Sequence, residues 1–225
     1  MQGAHYAGVT LQTLDYESFD QGTILAQTPI PGLKIDLQKK PRLSDLLGLV
    51  TPLGADMLAD GIRNRIFVPP LGELALPAPP QDLTHAPKIT SKDKEIDWLN
   101  WDAATVGRRY RALGPLWNMV IVVGAKRLRI KLDGVEEVER PGAFEQATES
   151  SRGPGDDRKD VMPMLKSMVC ETPTGERLSL SYVTDGDGII IAVKDMAVSI
   201  SHITIEGMER RAASLAVETL EGGKL

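Results

Sequence analysis

The stretch "AATVGRRYRALGPLWNMVIVVGAKRLRIKL", residues 103–132, decides the fold of the larger part of this chain. Its first half has the pattern of a helix. Asn100 or Asp102 can cap that helix, which runs through Arg111, and the Gly-Pro pair at 114–115 ends it. The second half changes to short apolar runs, "NMVIVV" and "KRLRIKL", which are typical of strands.

The second of these strands alternates strictly between basic and apolar residues. Successive side chains of a strand point to opposite faces, so one face is basic and the other is apolar. The two sets are Arg127, Arg129 and Lys131, and Leu128, Ile130 and Leu132. Further short strands follow in "LKSMVCET", "ERLSLSYV", "GIIIAVK" and "AVSISHITI". Five or six strands at this spacing predict a small β-barrel, which "MERRAASLAVETL" closes as an amphipathic turn or helix.

Three segments are predicted along the chain: residues 1–66, a connector over 67–97, and the barrel over 98–225. In the first, strands at 8–14 and 23–30 flank an Asp-x-Gly turn. The run "RLSDLLGLVTPLGADMLADGIRNR" then predicts a helix, with Ser44 as a candidate cap and Pro52 as a kink or break. These strands are too few for a complete sheet, so this segment is interpreted as the end of a larger α/β domain.

Two loops are predicted between the regular elements. Six prolines stiffen the connector at 67–97 and leave it without regular structure. The segment 133–163, with "ESSRGPGDDRKD" at its centre, is predicted to be a flexible surface loop.

Composition excludes several classes of protein. The chain has 225 residues, of which 42% are hydrophobic and 25% charged, as in ordinary globular proteins. Cys170 is the only cysteine, which excludes disulfides and a cysteine-rich zinc site. It is predicted to be a small strand residue rather than a nucleophile. No metal site is expected. No apolar run approaches the roughly 18 residues of a membrane span, and no targeting peptide is visible at the start.

The charge is unevenly distributed. The whole chain carries −5, yet residues 98–132 hold seven cations and a single anion, Asp102. Residues 133–225 hold ten cations and eighteen anions. A basic patch on an acidic protein favours contact with phosphates through one surface. A solvated face without such a role is the alternative at this point.

Four stretches, in order, give the chain a resemblance to the methionyl-tRNA formyltransferases in their eukaryotic mitochondrial form. They are "AGVTLQTL...FDQGTILAQTPIP", "LGADMLADGI", "PPQDLTHAPKITSKDKEIDW" and "AATVGRRYRALGPLW". The first two resemble the last strands and helix of a Rossmann-like formyltransferase domain. The other two resemble the linker and the opening helix of an OB-like C-terminal barrel, and they are the more specific pair. The likeness weakens after Asp133.

The resemblance implies formyl transfer from 10-formyltetrahydrofolate to methionyl initiator tRNA, by a monomer in the mitochondrial matrix. An Asn, a His and an Asp surround the reacting carbon in that family, and the carboxylate orients the His and favours its charged form. Only Asp20 matches a member of this set, and Gly22 would let the backbone pass close to the folate. Without the resemblance, both are ordinary residues of a hairpin turn.

The Asn-x-His pair of the family has no counterpart in the sequence. None of the three histidines, His5, His85 and His202, follows an asparagine by two positions. The chain as given is therefore expected not to catalyse formyl transfer and not to bind the folate alone.

With the catalytic Asn and His missing, the part of the family's enzymes that this chain still resembles is the part that holds tRNA. The cations that fit this role lie on the linker, on the helix and along the basic strand. They are Lys88, Lys92, Lys94, Arg108, Arg109, Arg111, Lys126, Arg127, Arg129 and Lys131. The three tryptophans, Trp98, Trp101 and Trp117, are interpreted as core anchors rather than as platforms for stacked bases.

Two other functions compete with a truncated formyltransferase. One is a non-catalytic RNA-binding protein that kept the barrel, and the other is a formyltransferase acting on nucleotide sugars. The linker, the helix and the basic strand disfavour the latter. The apolar strands of the first segment disfavour the former, because an independent binding module would tend to lose exposed apolar faces. The barrel from about Ile96 onward is expected to fold alone, and the whole chain to be prone to aggregation.

Overall fold

The structure, a computed structural model, describes residues 3–17, 22–36, 39–72, 87–146, 164–194 and 196–222. Within it the chain forms two compact units, Met1–Lys88 and Ile89–Leu225.

The first unit consists of two small antiparallel sheets and one long helix. Strand β1 pairs with β4, and β2 pairs with β3, the pair predicted around the Asp-x-Gly turn. Helix α1 packs on β2 and β3. The elements are β1 (Tyr6–Ala7), β2 (Thr10–Gln12), β3 (Ile24–Gln27), β4 (Leu33–Lys34) and α1 (Leu43–Arg63).

Two details predicted for α1, a cap at Ser44 and a break at Pro52, are wrong. The residue before its first turn is Arg42, whose backbone N–H donates to the Asp45 carboxylate over 2.8 Å, so Ser44 lies inside the helix and does not cap it. Pro52 also lies inside the helix, which continues through it to Arg63. A proline removes one backbone hydrogen bond. In a helix of 21 residues the remaining bonds on both sides are enough to continue the structure.

Helix α1 leaves much of its apolar surface uncovered. Among the described residues of the first unit, only Ile35 and Gly61 are buried. The large apolar side chains of α1 are between 37% and 58% exposed at Leu43, Leu47, Leu49, Leu53, Leu58 and Ile62. The first unit therefore gains little free energy from apolar burial of its own.

The second unit is a closed barrel with helices packed on it. Six strands form the ring in the order β10-β6-β5-β7-β8-β9 and back to β10, every pair antiparallel, and β11 extends β10 outside the ring. The predicted fold class, an α/β segment followed by a small barrel, is confirmed. The elements are α2 (Ala103–Leu113), β5 (Leu116–Ile121), β6 (Arg127–Val138), α3 (Ala143–Gln146), β7 (Lys166–Glu171), β8 (Arg177–Asp185), β9 (Gly188–Ala192), β10 (Ala197–Ile205), β11 (Arg210–Ala212) and α4 (Ala213–Glu221).

The barrel interior holds one continuous apolar core. Leu128, Ile130 and Leu132 are between 1% and 7% exposed, which confirms the alternation predicted for β6. Cys170 is a small strand residue, as predicted, and is buried in the same core. Helix α4 contributes Val217 and Leu220 to this core, and its Glu221 accepts a hydrogen bond from the Tyr182 hydroxyl.

The loop predicted at 133–163 begins later than expected. Strand β6 extends to Val138, and α3 follows, with Phe144 buried. The alternation breaks at Gly134, which has φ +65°, so that Leu132 and Val135 both face the core although they are three positions apart. A period of two therefore cannot identify the second half of this strand. Residues 147–163, including the centre of the predicted loop, lie outside the described residues.

We expect the fragment Ile89–Leu225 to unfold in one cooperative transition, because it contains the closed barrel and its core. The full chain should bind an apolar dye such as anilinonaphthalene sulfonate more strongly than the fragment, because α1 exposes apolar side chains. Equilibrium urea unfolding, followed by circular dichroism and fluorescence, tests the first expectation. A full chain that binds no more dye than the fragment would contradict the second.

Candidate nucleic-acid interface

Helix α2 begins at a carboxylate cap. Asp102 accepts a hydrogen bond of 2.7 Å from the backbone N–H of Thr105, and Gly114, with φ 74°, ends the helix. Hydrogen bonds from Thr105 lower the pKa of Asp102, so the cap is charged at neutral pH. Of the two predicted caps, Asp102 is confirmed, and Asn100 instead donates to Asp97 from its side-chain amide.

The end of the linker is ordered against the barrel. Residues Ser91–Lys94 form a 3₁₀ turn, in which the Asp93 carboxylate accepts hydrogen bonds from the backbone N–H and the hydroxyl of Thr90. These bonds, with the Thr90 backbone N–H first, lower the pKa of Asp93. The prediction that the whole connector at 67–97 lacks regular structure is wrong for this part, because its prolines all lie before residue 88.

Beyond the turn, the linker runs beside β5. The Ile96 backbone N–H donates to the Trp117 carbonyl over 2.9 Å, and Glu95 forms a parallel bridge with Trp117. The Ile96 side chain is fully buried in the barrel core. The linker thus occupies a strand position along the first residues of β5.

A buried asparagine holds this junction. Asn118 has no exposed surface, and its side-chain amide donates to the Ile96 carbonyl over 3.2 Å and to the Glu171 carbonyl over 3.0 Å. Glu171 is the last residue of β7, the other neighbour of β5. One amide therefore satisfies two backbone carbonyls, one from the linker and one from the barrel.

The 3₁₀ turn lies on the outer face of the barrel and holds Trp117 and Arg129. The Trp117 indole N–H donates to the Ser91 carbonyl over 2.7 Å. The Arg129 guanidinium lies 4.1 Å from the centre of the Trp117 ring and donates to the Ser91 hydroxyl over 2.9 Å. The interpretation of Trp117 as a core anchor is therefore wrong, since its ring faces outward under a cation.

The same turn also binds helix α2. The Arg109 guanidinium donates to the Asp93 carbonyl over 2.9 Å and lies 4.3 Å from the centre of the Trp101 ring. Trp101 is half-buried and packs against the core, and Trp98 is 6% exposed, so the core interpretation is confirmed for Trp98 and holds in part for Trp101.

These contacts bring Arg109 of the helix and Arg129 of the strand to the 3₁₀ turn of the linker. Lys92 and Lys94 belong to the turn itself, and Arg127 and Lys131 share one face of β6 with Arg129 by strand alternation. We name this set the turn patch, and its members are Lys92, Lys94, Arg109, Arg127, Arg129 and Lys131. The pKa of Glu95 is raised because the carboxyl is partly buried, and the charges of Lys92 and Arg129 oppose this rise. In the parts of the chain that the structure describes, no carboxylate lies within 4.0 Å of the amino groups of Lys92, Lys94 or Lys131.

Carboxylates moderate the charge of the turn patch at two points. Arg127 pairs with Glu171 over 2.6 Å, although its own side chain remains 59% exposed. The Glu206 carboxylate accepts from the backbone N–H of Arg129 over 3.2 Å and leaves the guanidinium without a paired anion among the described residues.

Four predicted cations are left out of the turn patch, and the two on α2 have partners of their own. Arg111 forms a largely buried ion pair of 2.7 Å with Glu137, farther along β6. The Arg108 guanidinium donates to the Thr105 hydroxyl on its own helix. Lys126 is exposed just before β6, and Lys88 is the exposed last residue of the first unit.

The backbone of the hairpin in the first unit is enough to require a glycine at position 22, and no ligand is needed to explain this residue. A Cβ at Gly22 would lie 1.7 Å from the Thr13 carbonyl oxygen, so any other residue would clash with backbone. Thr13 and Thr23 close the hairpin, since the Thr13 N–H donates to the Thr23 carbonyl over 3.0 Å. Asp20, the predicted catalytic carboxylate, lies outside the described residues.

Within the described ranges, no three His, Cys, Asp or Glu side chains gather as metal ligands. The helices in those ranges include none with the length and apolar character that a membrane crossing requires.

Comparison with protein families assigns the barrel to a known domain family. The family model "Formyl transferase, C-terminal domain" matches residues 88–218, which is more than half of the chain and covers the whole turn patch. The chain belongs to this family.

Curated methionyl-tRNA formyltransferases are similar to this chain. The mitochondrial methionyl-tRNA formyltransferase of Saccharomyces cerevisiae is 32% identical over 52% of this chain and 32% of its own length. That of Bos taurus is 31% identical over 51% of this chain and 27% of its own. The methionyl-tRNA formyltransferase of Aromatoleum aromaticum is 26% identical over 92% of this chain and 51% of its own. The resemblance to methionyl-tRNA formyltransferases is confirmed, and the chain spans between a quarter and about half of the length of these curated relatives.

We expect Asn118→Ala to destabilise this formyl transferase barrel by about 1–3 kcal/mol, because the buried Ile96 carbonyl and the partly buried Glu171 carbonyl lose their donor. The exposed Asn100 provides a matched control, and Asn100→Ala should change stability by less than about 0.5 kcal/mol. All three tryptophans lie in the second unit, so the urea midpoint of tryptophan fluorescence reports on this unit. Equal midpoints for the two variants would show that Asn118 does not hold the junction.

Proposed function

We propose that this chain supplies the tRNA-binding part of a methionyl-tRNA formyltransferase and that its partner is initiator methionyl-tRNA. The observation that carries the proposal is the turn patch, a set of cations on the outer face of a formyl transferase C-terminal barrel. The names of the relatives support this choice of substrate.

The arrangement of the turn patch suits a phosphate backbone. Its cations come from three elements, the 3₁₀ turn, α2 and β6, so they spread over a surface instead of filling a pocket. Such contacts position a nucleic acid and give affinity that depends on salt, without reading bases. The chain carries −5 overall, so the attraction acts through this surface and not through net charge.

Formyl transfer needs groups that this sequence does not contain. The sequence has no Asn-x-His, so the proposed chemistry lacks its amide donor and its proton-transferring imidazole. Asp20 is proposed as the carboxylate of the site and Gly22 as the place where the backbone approaches the folate. The co-substrate of the complete enzyme is 10-formyltetrahydrofolate, and the chain alone is proposed to neither bind it nor use it.

The exposed apolar surface of α1 favours part of an enzyme over an independent RNA-binding protein. Six large apolar side chains on one helix are more than a third exposed. Surfaces of this kind mark contacts with other protein. We therefore propose residues 1–66 as the remnant of the catalytic domain, 67–97 as the linker and 98–225 as the tRNA-binding barrel, in a monomer.

The site of action proposed is the mitochondrial matrix. Two of the three relatives above, from yeast and cattle, are named as mitochondrial enzymes. The proposed role is therefore in the initiation of mitochondrial translation.

We expect the chain to bind an initiator tRNA transcript, and we expect the variant Arg127→Ala, Arg129→Ala, Lys131→Ala to bind it more weakly. Each lost phosphate contact should reduce the slope of log affinity against log salt by about one, so the triple variant should lose about two to three. Fluorescence anisotropy with a labelled transcript at several salt concentrations measures both quantities.

A second triple variant controls for the change in charge. Lys34→Ala, Lys39→Ala, Arg211→Ala removes the same number of exposed cations from outside the turn patch. It should keep the affinity and the slope of the original chain. Equal losses in the two triple variants would show that net charge, and not the turn patch, governs binding.

The absence of Asn-x-His predicts no formyl transfer by this chain. Incubation with 10-formyltetrahydrofolate and methionyl initiator tRNA should give no formylmethionyl-tRNA above the rate without protein. A methionyl-tRNA formyltransferase of a relative serves as the positive control. Formylation that depends on this chain would disprove the proposed inactivity.

A further inference from the structure

We infer that Trp117 and Ser91 are positioning residues that hold Arg129 in place to contact a phosphate of the bound RNA. The inference rests on the proposed function, because it assigns a role within the tRNA-binding surface. It concerns how the surface is prepared before RNA arrives.

The three residues form a closed set of contacts. The Trp117 indole N–H donates to the Ser91 carbonyl, and Arg129 donates to the Ser91 hydroxyl, over 2.7 and 2.9 Å. Arg129 also lies over the Trp117 ring, at 4.1 Å from its centre. Each residue therefore contacts the other two, and the arginine is held by a flat ring on one side and a hydroxyl at its end.

Arg129 differs from three other arginines of the second unit in the kind of group that contacts its guanidinium. Arg111, Arg127 and Arg210 each lie within 2.9 Å of a carboxylate oxygen. Arg129 has neutral partners instead, and the structure describes no carboxylate within 4.0 Å of its guanidinium. Its guanidinium is thus held by a hydroxyl and a ring, while Glu206, which accepts from its backbone N–H, and Glu95, whose pKa is raised by burial against the opposing charge of Arg129, form no described ion pair with it.

Holding an arginine in this way favours binding through entropy. A free arginine side chain loses rotamer freedom when it is immobilised at an interface, and prior immobilisation removes much of that cost. Arginine has five N–H donors. Ser91 takes one of them and the Nε–H of Arg129 is buried, so the donors left for a phosphate oxygen are those of the terminal nitrogens.

The same geometry argues against base stacking on Trp117. A stacked base needs the face of the ring, and Arg129 occupies one face at van der Waals distance. A purely positioning role therefore requires that Trp117 act only through Arg129. This gives a criterion that separates positioning from direct contact.

A double-mutant cycle tests the inference with the full chain and a labelled initiator tRNA transcript. Arg129→Ala should weaken binding and reduce the salt slope by about one. Trp117→Leu should weaken binding by about threefold or more, since it removes the ring and its N–H. In the Arg129→Ala background, Trp117→Leu should have no further effect on either quantity.

Conservative variants divide the contribution of the two positioning residues. Trp117→Phe keeps a ring under Arg129 and should recover most of the affinity that Trp117→Leu loses. Ser91→Ala removes the hydroxyl acceptor and should weaken binding less, while Ser91→Thr should retain it. Thermal unfolding followed by circular dichroism checks that each variant is folded. If Trp117→Leu does not fold, the cycle of Ser91→Ala with Arg129→Ala carries the test.

Two results would overturn the inference and leave the proposed function intact. Additive losses for Trp117→Leu and Arg129→Ala would mean that Trp117 contacts RNA by itself. Unchanged binding by Arg129→Ala, together with weaker binding by the triple variant, would remove Arg129 from the contact. Unchanged binding by the triple variant would instead refute the proposed function, so the two failures are distinguishable.

Discussion

The attachment of the linker to β5 is the constraint on which the proposed tRNA-binding surface depends. Ile96 enters the core, its backbone N–H bonds to Trp117, and the buried Asn118 amide holds its carbonyl. The buried Asn118 amide donates to two carbonyls, and one of these belongs to the linker. The linker can therefore leave the barrel only at the cost of an unpaired buried group and an exposed isoleucine. This fixes the 3₁₀ turn, and through it the turn patch.

The two units differ in how they bury apolar surface. The barrel closes on itself, so none of its six ring strands has a free edge and its inward side chains form one core. The first unit has two short strand pairs and a helix that keeps apolar side chains exposed. The second unit accordingly has the means to be stable by itself, and the first has apolar surface suited to contact with other protein. This contrast agrees with a chain that spans between a quarter and about half of its relatives.

Helical geometry divides the arginines of α2 between structure and surface. Neighbouring residues of a helix point about 100° apart, so Arg109 and Arg111 face different sides. Arg111 reaches Glu137 on β6 and fastens the helix to the barrel, as does the Tyr110 hydroxyl, which donates to Asp133 over 2.7 Å. Arg109 reaches the 3₁₀ turn. A run of basic residues that looks uniform in sequence thus contributes one member to the turn patch.

The sequence by itself determined the elements whose pattern is local: a helix through Arg111 that the Gly-Pro pair at 114–115 ends, the alternating strand at 127–132 and a barrel of five or six short strands. It also identified the family, since the linker and helix motifs are contiguous. It missed the second half of β6, because a glycine with positive φ interrupts the period of two. Only the tertiary structure decided which cations lie together, that Trp117 faces outward under Arg129, and that Asn118 joins the linker to the barrel. Each of these depends on contacts between residues more than ten positions apart, and local periodicity contains no information about such contacts.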